Sequence, residues 1–186
     1  MTAGPIETRW ARQVMDFWFS ELREADWWAK SEATDATIRE RFLALHGRLT
    51  ADGGAGISEC RSLLAAVIVL DQFSRHLYRG SPRAYATDSL ARQLARQAIA
   101  CGCDSGMRDD ERMFLYLPFE HSEDRADQSL SVELFEGLGH DAWTRDARTH
   151  KELIDRFGRF PHRNAVLGRE STPEEIAALA EPSNSF

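Results

Sequence analysis

The segment Arg156-Phe157-Gly158-Arg159-Phe160-Pro161-His162-Arg163-Asn164 gathers guanidinium, imidazole and amide groups beside glycine and proline, just where a helical pattern stops. Guanidinium groups grip carboxylate or phosphate oxygens in pairs, so such a loop suits an anionic guest. Arg159 and Arg163 would hold the anion, His162 and Asn164 would orient it, and Phe157 and Phe160 would supply apolar walls. No acidic residue stands between Asp155 and Glu170, so the local potential is positive within an acidic chain. A second stretch, Pro118-Phe119-Glu120-His121-Ser122-Glu123-Asp124, is dense in carboxylates and carries a histidine. Those groups are natural proton carriers and metal ligands, but contiguous side chains point in different directions, which disfavours a metal centre. Glu120 and His121, with His162, are therefore candidate catalytic acid and base groups, and no metal ligand is assigned. A third stretch sets Asp71 four residues before Arg75 and Gln72 four before His76, with Arg79 next; on a helix these form two adjacent polar rows. Asp71, Arg75 and Arg79 are candidate ligand-binding residues.

Each group also has a structural reading that residue types leave open. Asp71 and Arg75 can form an ion pair one helical turn apart, and Arg75, His76 and Arg79 can complement the negative end of a helix. Ser122, Glu123 and Asp124 can cap the helix that follows. The arginines after Asp155 can instead pair with the acidic clusters and lock helices together.

The chain that must position these groups has 186 residues, 42% of them hydrophobic and 10% aromatic, which is enough for one sizeable core, so one domain spanning residues 1–186 is expected. A formal net charge of -7 disfavours nucleic acid as the main partner, because duplex binding is dominated by phosphate neutralisation. Of the 23 basic residues only Lys30 and Lys151 are lysines, so an arginine at any one position carries little information. Cys60, Cys101 and Cys103 make an odd set, of which Cys101-Gly102-Cys103 is too tight for zinc-ligand spacing and lacks a second pair, and they are read as free thiols in a reducing compartment. The opening residues lack a basic stretch leading into an apolar one, and the apolar run at residues 63–70 falls far short of the ~20 residues that cross a bilayer. A cytoplasmic protein without a membrane partner is expected, and its oligomeric state is left open. No glycine-rich phosphate loop, nucleotide fingerprint or nucleophile elbow is present, so no cofactor is assigned.

Helical periodicity dominates and strand alternation is hard to find, so the fold class is all-α, about eight helices packed as antiparallel hairpins. The first helix is expected from Ile6 to about Leu22, with Trp27 and Trp28 in the turn after it. The second is expected to start at an Asp35 cap and to carry Ile38, Phe42, Leu45 and Leu49 on one face. The third, from about Ser58, is apolar almost all round and should be the central buried helix, delivering Asp71 to its C-terminal end. A fourth follows a cap at Thr87 or Asp88 and stops at Gly102. The fifth begins at the acidic cluster Asp109-Asp110-Glu111 and meets Pro118, which demands a kink or a break. A sixth carries Leu130, Leu134 and Phe135, a seventh runs from about Asp141 to Phe157, and Thr172-Pro173-Glu174-Glu175 is a capping box for a short last helix. Cys60 has no histidine near it in sequence, and His46 and His150 are read as surface or core-edge residues.

Three of these segments, Val69-Leu70-Asp71-Gln72-Phe73-Ser74-Arg75, the run Arg112-Met113-Phe114-Leu115-Tyr116-Leu117-Pro118 continuing through Asp124, and the loop from Arg156 to Asn164, resemble the bacterial family called domain of unknown function 924. The likeness runs from Phe17-Trp18-Phe19 to the Thr172 capping box and includes Trp27-Trp28, Tyr78-Arg79-Gly80 and Ala86-Thr87-Asp88. It implies an all-α, tetratricopeptide-like arrangement and implies nothing firm about activity. Ser74 departs from it, since proline is expected after the Gln-Phe pair, and serine there implies a straighter third helix and another aim for Arg75.

Two functional readings follow. In the first, the ends of the third, fifth and seventh helices converge on a polar pocket for a small carboxylate or phosphate compound; in an enzyme, Glu120 or His121 would move a proton while arginines hold developing negative charge. In the second, the helical hairpins form a non-catalytic adaptor that grips an acidic peptide.

Overall fold

The computed structural model describes residues 9–181, and the expected helix start at Ile6 lies outside them. Among the described residues every regular element is helical and no strand occurs. The described residues group into two compact units: one holds those up to Arg79 together with Arg83–Leu115, the other holds Gly80–Pro82 and those from Tyr116 on.

The first unit is organised by α4 (Cys60–Ile68), in which every residue from Ser62 is buried. An all-apolar helix has no face to offer water, so it must be surrounded. The unit also holds α1 (Arg9–Asp16), α2 (Glu24–Trp28), α3 (Glu32–Asp52), α5 (Ser74–Leu77), α6 (Asp88–Ala100) and the start of α7 (Asp109–Glu120), of which α1 and α6 pack on α4. Ile38, Phe42, Leu45 and Leu49 of α3 are all buried, as their spacing predicts. Phe42 packs on Phe17 and Phe73 with ring centroids 5.2 and 4.9 Å apart. Trp18, also buried, meets Phe114 edge to face at 5.3 Å.

The sequence misplaced some boundaries. Helix α3 begins at Glu32, because the Ser31 hydroxyl accepts from the Thr34 amide and caps it one turn ahead of Asp35. Trp27 and Trp28 belong to the short α2 rather than to a turn. Helix α7 runs past Pro118 to Glu120. Both α1 and α4 pass into a π turn, at Phe17–Glu21 and Val69–Phe73. The cysteines are not all free: Cys60 and Cys103 form a disulfide, and Cys101 is the free thiol. Spacing along the chain could not reveal that pair, since 43 residues separate it.

The second unit contains the end of α7, then α8 (Arg125–Leu138), α9 (Asp141–Phe157) and α10 (Pro173–Leu179). Helices α8 and α9 pack along each other as a hairpin turned at Gly139. Phe135, Ile154 and Phe160 are fully enclosed, and each such phenylalanine contributes about 1.5–3 kcal/mol by leaving water. Gly158, in the left-handed region at φ 68°, stops α9 and turns the chain into the loop that carries Phe160 to Asn164. The Thr172 capping box is formed in both directions.

Candidate functional site

The acidic loop after α7 sends its successive side chains to different targets. Glu120 faces His150, with its Oε1 3.3 Å from the ring Nδ1. The His121 carbonyl accepts from Arg163 Nη2 at 2.9 Å. Ser122 donates to Asp127 at 2.7 Å, while Asp124 caps α8 by accepting from the Ala126 and Asp127 amides. Glu123 accepts from the Phe160 amide and from both Nη atoms of Arg169. The loop is tied from beneath by Gln128, whose fully buried Nε2 lies 2.6 Å from the Glu120 carbonyl and 2.7 Å from that of Ser122. Among the described residues no group of three histidine, cysteine or carboxylate side chains is arranged to hold a metal ion.

What the loop and α9 bring together is a cluster of Glu120, His121, His150, His162 and Arg163. Glu120, His150 and Arg163 are buried, whereas His121 and His162 are half-buried. The His121 and His150 rings lie 6.5 Å apart. Phe160 forms the common wall: its ring centre is 5.5 Å from those of His150 and His162 and 4.6 Å from the Arg163 guanidinium. His150 Nδ1 lies 2.9 Å from the Asp146 carbonyl, which can only accept, so this nitrogen carries the proton and Nε2 is the ring's acceptor when neutral. Burial pushes the His150 pKa down to about 3, and His121, His162 and Arg163 add positive potential in the same direction. The imidazole is therefore neutral at pH 7, with the Glu120 carboxylate against Nδ1 and Arg163 adding positive potential.

Arg159 and Asn164, expected to bind ligand, are turned to α10 in this structure. Arg159 forms a two-pronged ion pair with Glu175 at 2.6 and 2.9 Å and also donates to the Glu170 carbonyl. Asn164 Nδ2 donates to Ser171 and Glu175. Glu175 gathers these donors with the Thr172 amide, and Arg159 chiefly holds its carboxyl down at about 2.

Asp71, Arg75 and Arg79 lie in the first unit. Asp71 is fully buried at the π turn, 3.2 Å from Arg75 Nη1 and hydrogen-bonded by Gln72. Arg75 also reaches both carboxylate oxygens of Asp88, at 3.1 and 3.2 Å, and donates to the Asp71 carbonyl. Arg79 forms a two-pronged pair with Asp35, whose carboxylate also meets His76 Nδ1 at 2.7 Å. Ser74 Oγ lies 2.7 Å from His46 Nε2 and 2.7 Å from the Leu70 carbonyl, a contact proline could not make. The helix carries a π turn at this point, a feature frequent at functional sites.

Sequence reasoning missed His150, Gln128 and Glu175. The signal for His150 was present: it lies three residues after Ala147 and three before Leu153, on the buried face of α9. Gln128 was not legible, because an amide on a helix is ordinary, and Glu175 was legible only as the end of the capping box, not as the partner of Arg159.

Comparison with known proteins agrees with this architecture. A solved structure of a protein of unknown function from Agrobacterium tumefaciens superposes with a TM-score of 0.87 at 39% identity, covering 91% of this chain and 96% of that one. No curated protein matches in sequence. The family model described as bacterial protein of unknown function (DUF924) matches residues 14–183, so the chain belongs to that family.

Proposed function

We propose that the second unit binds a small anionic compound, a carboxylate or a phosphate, at the cluster formed by Glu120, His121, His150, His162 and Arg163. The observation that carries this reading is the buried His150 held neutral, chiefly by burial, between the Glu120 carboxylate and the positive potential of Arg163. An entering anion would offset that potential, raise the His150 pKa and bring the Glu120–His150 pair toward the range in which protons are exchanged at neutral pH. His121 and His162, being half-buried, are the groups a ligand meets first, and Arg163 stands behind them as the fixed positive charge. Proton transfer or hydrolysis at the bound compound is the chemistry these groups suit.

An acidic peptide fits less well, because Glu120, His150 and Arg163 are enclosed rather than spread along an open groove. Helical hairpins such as α8 and α9 support a tetratricopeptide-like reading of the fold without requiring that use of it. A cytoplasmic setting completes the proposal and is checked by cell fractionation. No helix among the described residues is long and apolar enough to cross a membrane.

The test is a thermal-shift series with orthophosphate, acetate and citrate on the wild type and on Arg163→Met and His162→Gln. A ligand at one hundred times its Kd stabilises by about 2.7 kcal/mol, a readily measured rise in Tm. The reading expects at least one anion to stabilise the wild type and the effect to vanish in both variants. Equal shifts in all three proteins, or none in the wild type, would overturn it.

A further inference from the structure

All three cysteines stand together in the first unit. Cys60 is the first residue of α4 and is bonded to Cys103, with the Cα atoms 5.3 Å apart. Cys103 is buried and opens the short turn Cys103–Gly106. Cys101 is a free, exposed thiol that closes α6, and only Gly102, in the left-handed region at φ 71°, separates it from Cys103. Residues two apart have Cα atoms no more than about 7 Å apart, close to the span a disulfide bridges. The one free thiol among the three thus follows α6 only two residues along the chain from a bonded cysteine.

We infer that these three cysteines form a thiol–disulfide exchange site whose co-substrates are small disulfides and thiols, with the exposed Cys101 as the group that meets them. Cys103 is buried and Cys60 half-buried, so a solvent thiol meets the exposed Cys101 more readily than either, and exchange needs a thiolate in line with the bond it breaks. Starting from the reduced site, the Cys101 thiolate attacks one sulfur of the small disulfide, forming a mixed disulfide and releasing one small thiol. Cys103 then attacks the Cys101 sulfur, joining residues 101 and 103 and releasing the second small thiol. Cys60 finally attacks Cys103, forming the observed disulfide and returning Cys101 as a thiol. Two protein thiols are oxidised, one small disulfide is reduced, and their two protons leave on the two released thiols. In reverse, Cys101 attacks Cys103 and Cys60 departs. Helix α4 is the one that delivers Asp71 and the π turn, so its tether is tied to the redox state of the surroundings. This inference stands apart from the anion site of the second unit.

The test follows oxidation of the fully reduced protein in a glutathione buffer, with acid quenching, alkylation and peptide mass spectrometry. In the wild type, glutathione should appear first on Cys101, and the Cys60–Cys103 disulfide should follow. Cys101→Ser, at an exposed position and checked for native circular dichroism, should form that disulfide about ten-fold or more slowly, since it loses an attacking group held at high effective concentration. Cys60→Ser should accumulate the Cys101–Cys103 disulfide. If Cys101→Ser oxidises at the wild-type rate, or glutathione appears first on Cys60 or Cys103, the inference is wrong.

Discussion

His150 makes a demanding prediction about acid stability. In the unfolded chain a histidine takes up a proton near pH 6.5, whereas in the folded protein burial and positive neighbours hold the same group near 3. Between those values the unfolded state binds the extra proton, so the His150 contribution to stability is intact above about 6.5 and is lost as pH falls toward 3. From pH 7 to pH 5 the loss from this one residue is about 2 kcal/mol, from linkage of a single proton with negligible protonation of the folded form. For a chain of this size that corresponds to a fall in Tm of about 4–8 °C. Other groups titrate over the same interval, including the buried His46 and His76, whose pKa values are also lowered chiefly by burial. The comparison is therefore with His150→Asn, whose amide can still donate to the Asp146 carbonyl but takes up no proton. Urea unfolding at pH 7 and pH 5 should show the variant losing about 2 kcal/mol less than the wild type over that interval. Equal losses in the two proteins would refute a buried neutral imidazole at this position.

Gln128→Leu should destabilise by about 1–3 kcal/mol in urea, because the Glu120 and Ser122 carbonyls lose a buried donor. Arg159→Ala should loosen α10 by leaving Glu175 without its main partner, seen as faster amide exchange in Pro173–Leu179 at pH 7. That pair stabilises only while Glu175 is ionised, so the difference should be full above about 4.5 and shrink as pH falls toward 2. Ser74→Ala should cost about 1–3 kcal/mol, since the buried His46 Nε2 loses its hydroxyl partner.

The helices that declare themselves through local pattern were legible. The apolar run of α4, the face of α3 and the Thr172 capping box rest on spacings of four residues or fewer, and all formed as expected. What stayed hidden depends on contacts distant in sequence. Asp35 has the chemistry of a helix cap, yet its carboxylate is taken by Arg79 44 residues away, and Ser31 caps α3 instead. Arg159 has the chemistry of an anion clamp, and the anion it holds is Glu175 of the chain itself. The opposing directions of neighbouring side chains in the Glu120 loop were readable in advance. The burial of His150 was also readable, from its position on the apolar face of α9, and the periodicity of that helix was the observation to weigh.

The central claim, an anion site at the His121, His150 and His162 cluster, is tested most directly by following the histidine ring signals by NMR during titration with inorganic phosphate at pH 7. The account predicts saturable movement of the His121, His150 and His162 signals with one common Kd, little movement of His46 and His76, and loss of the response in Arg163→Met. Signals of the cluster that stay still while phosphate is added, or that move identically when Arg163 is replaced, would contradict it.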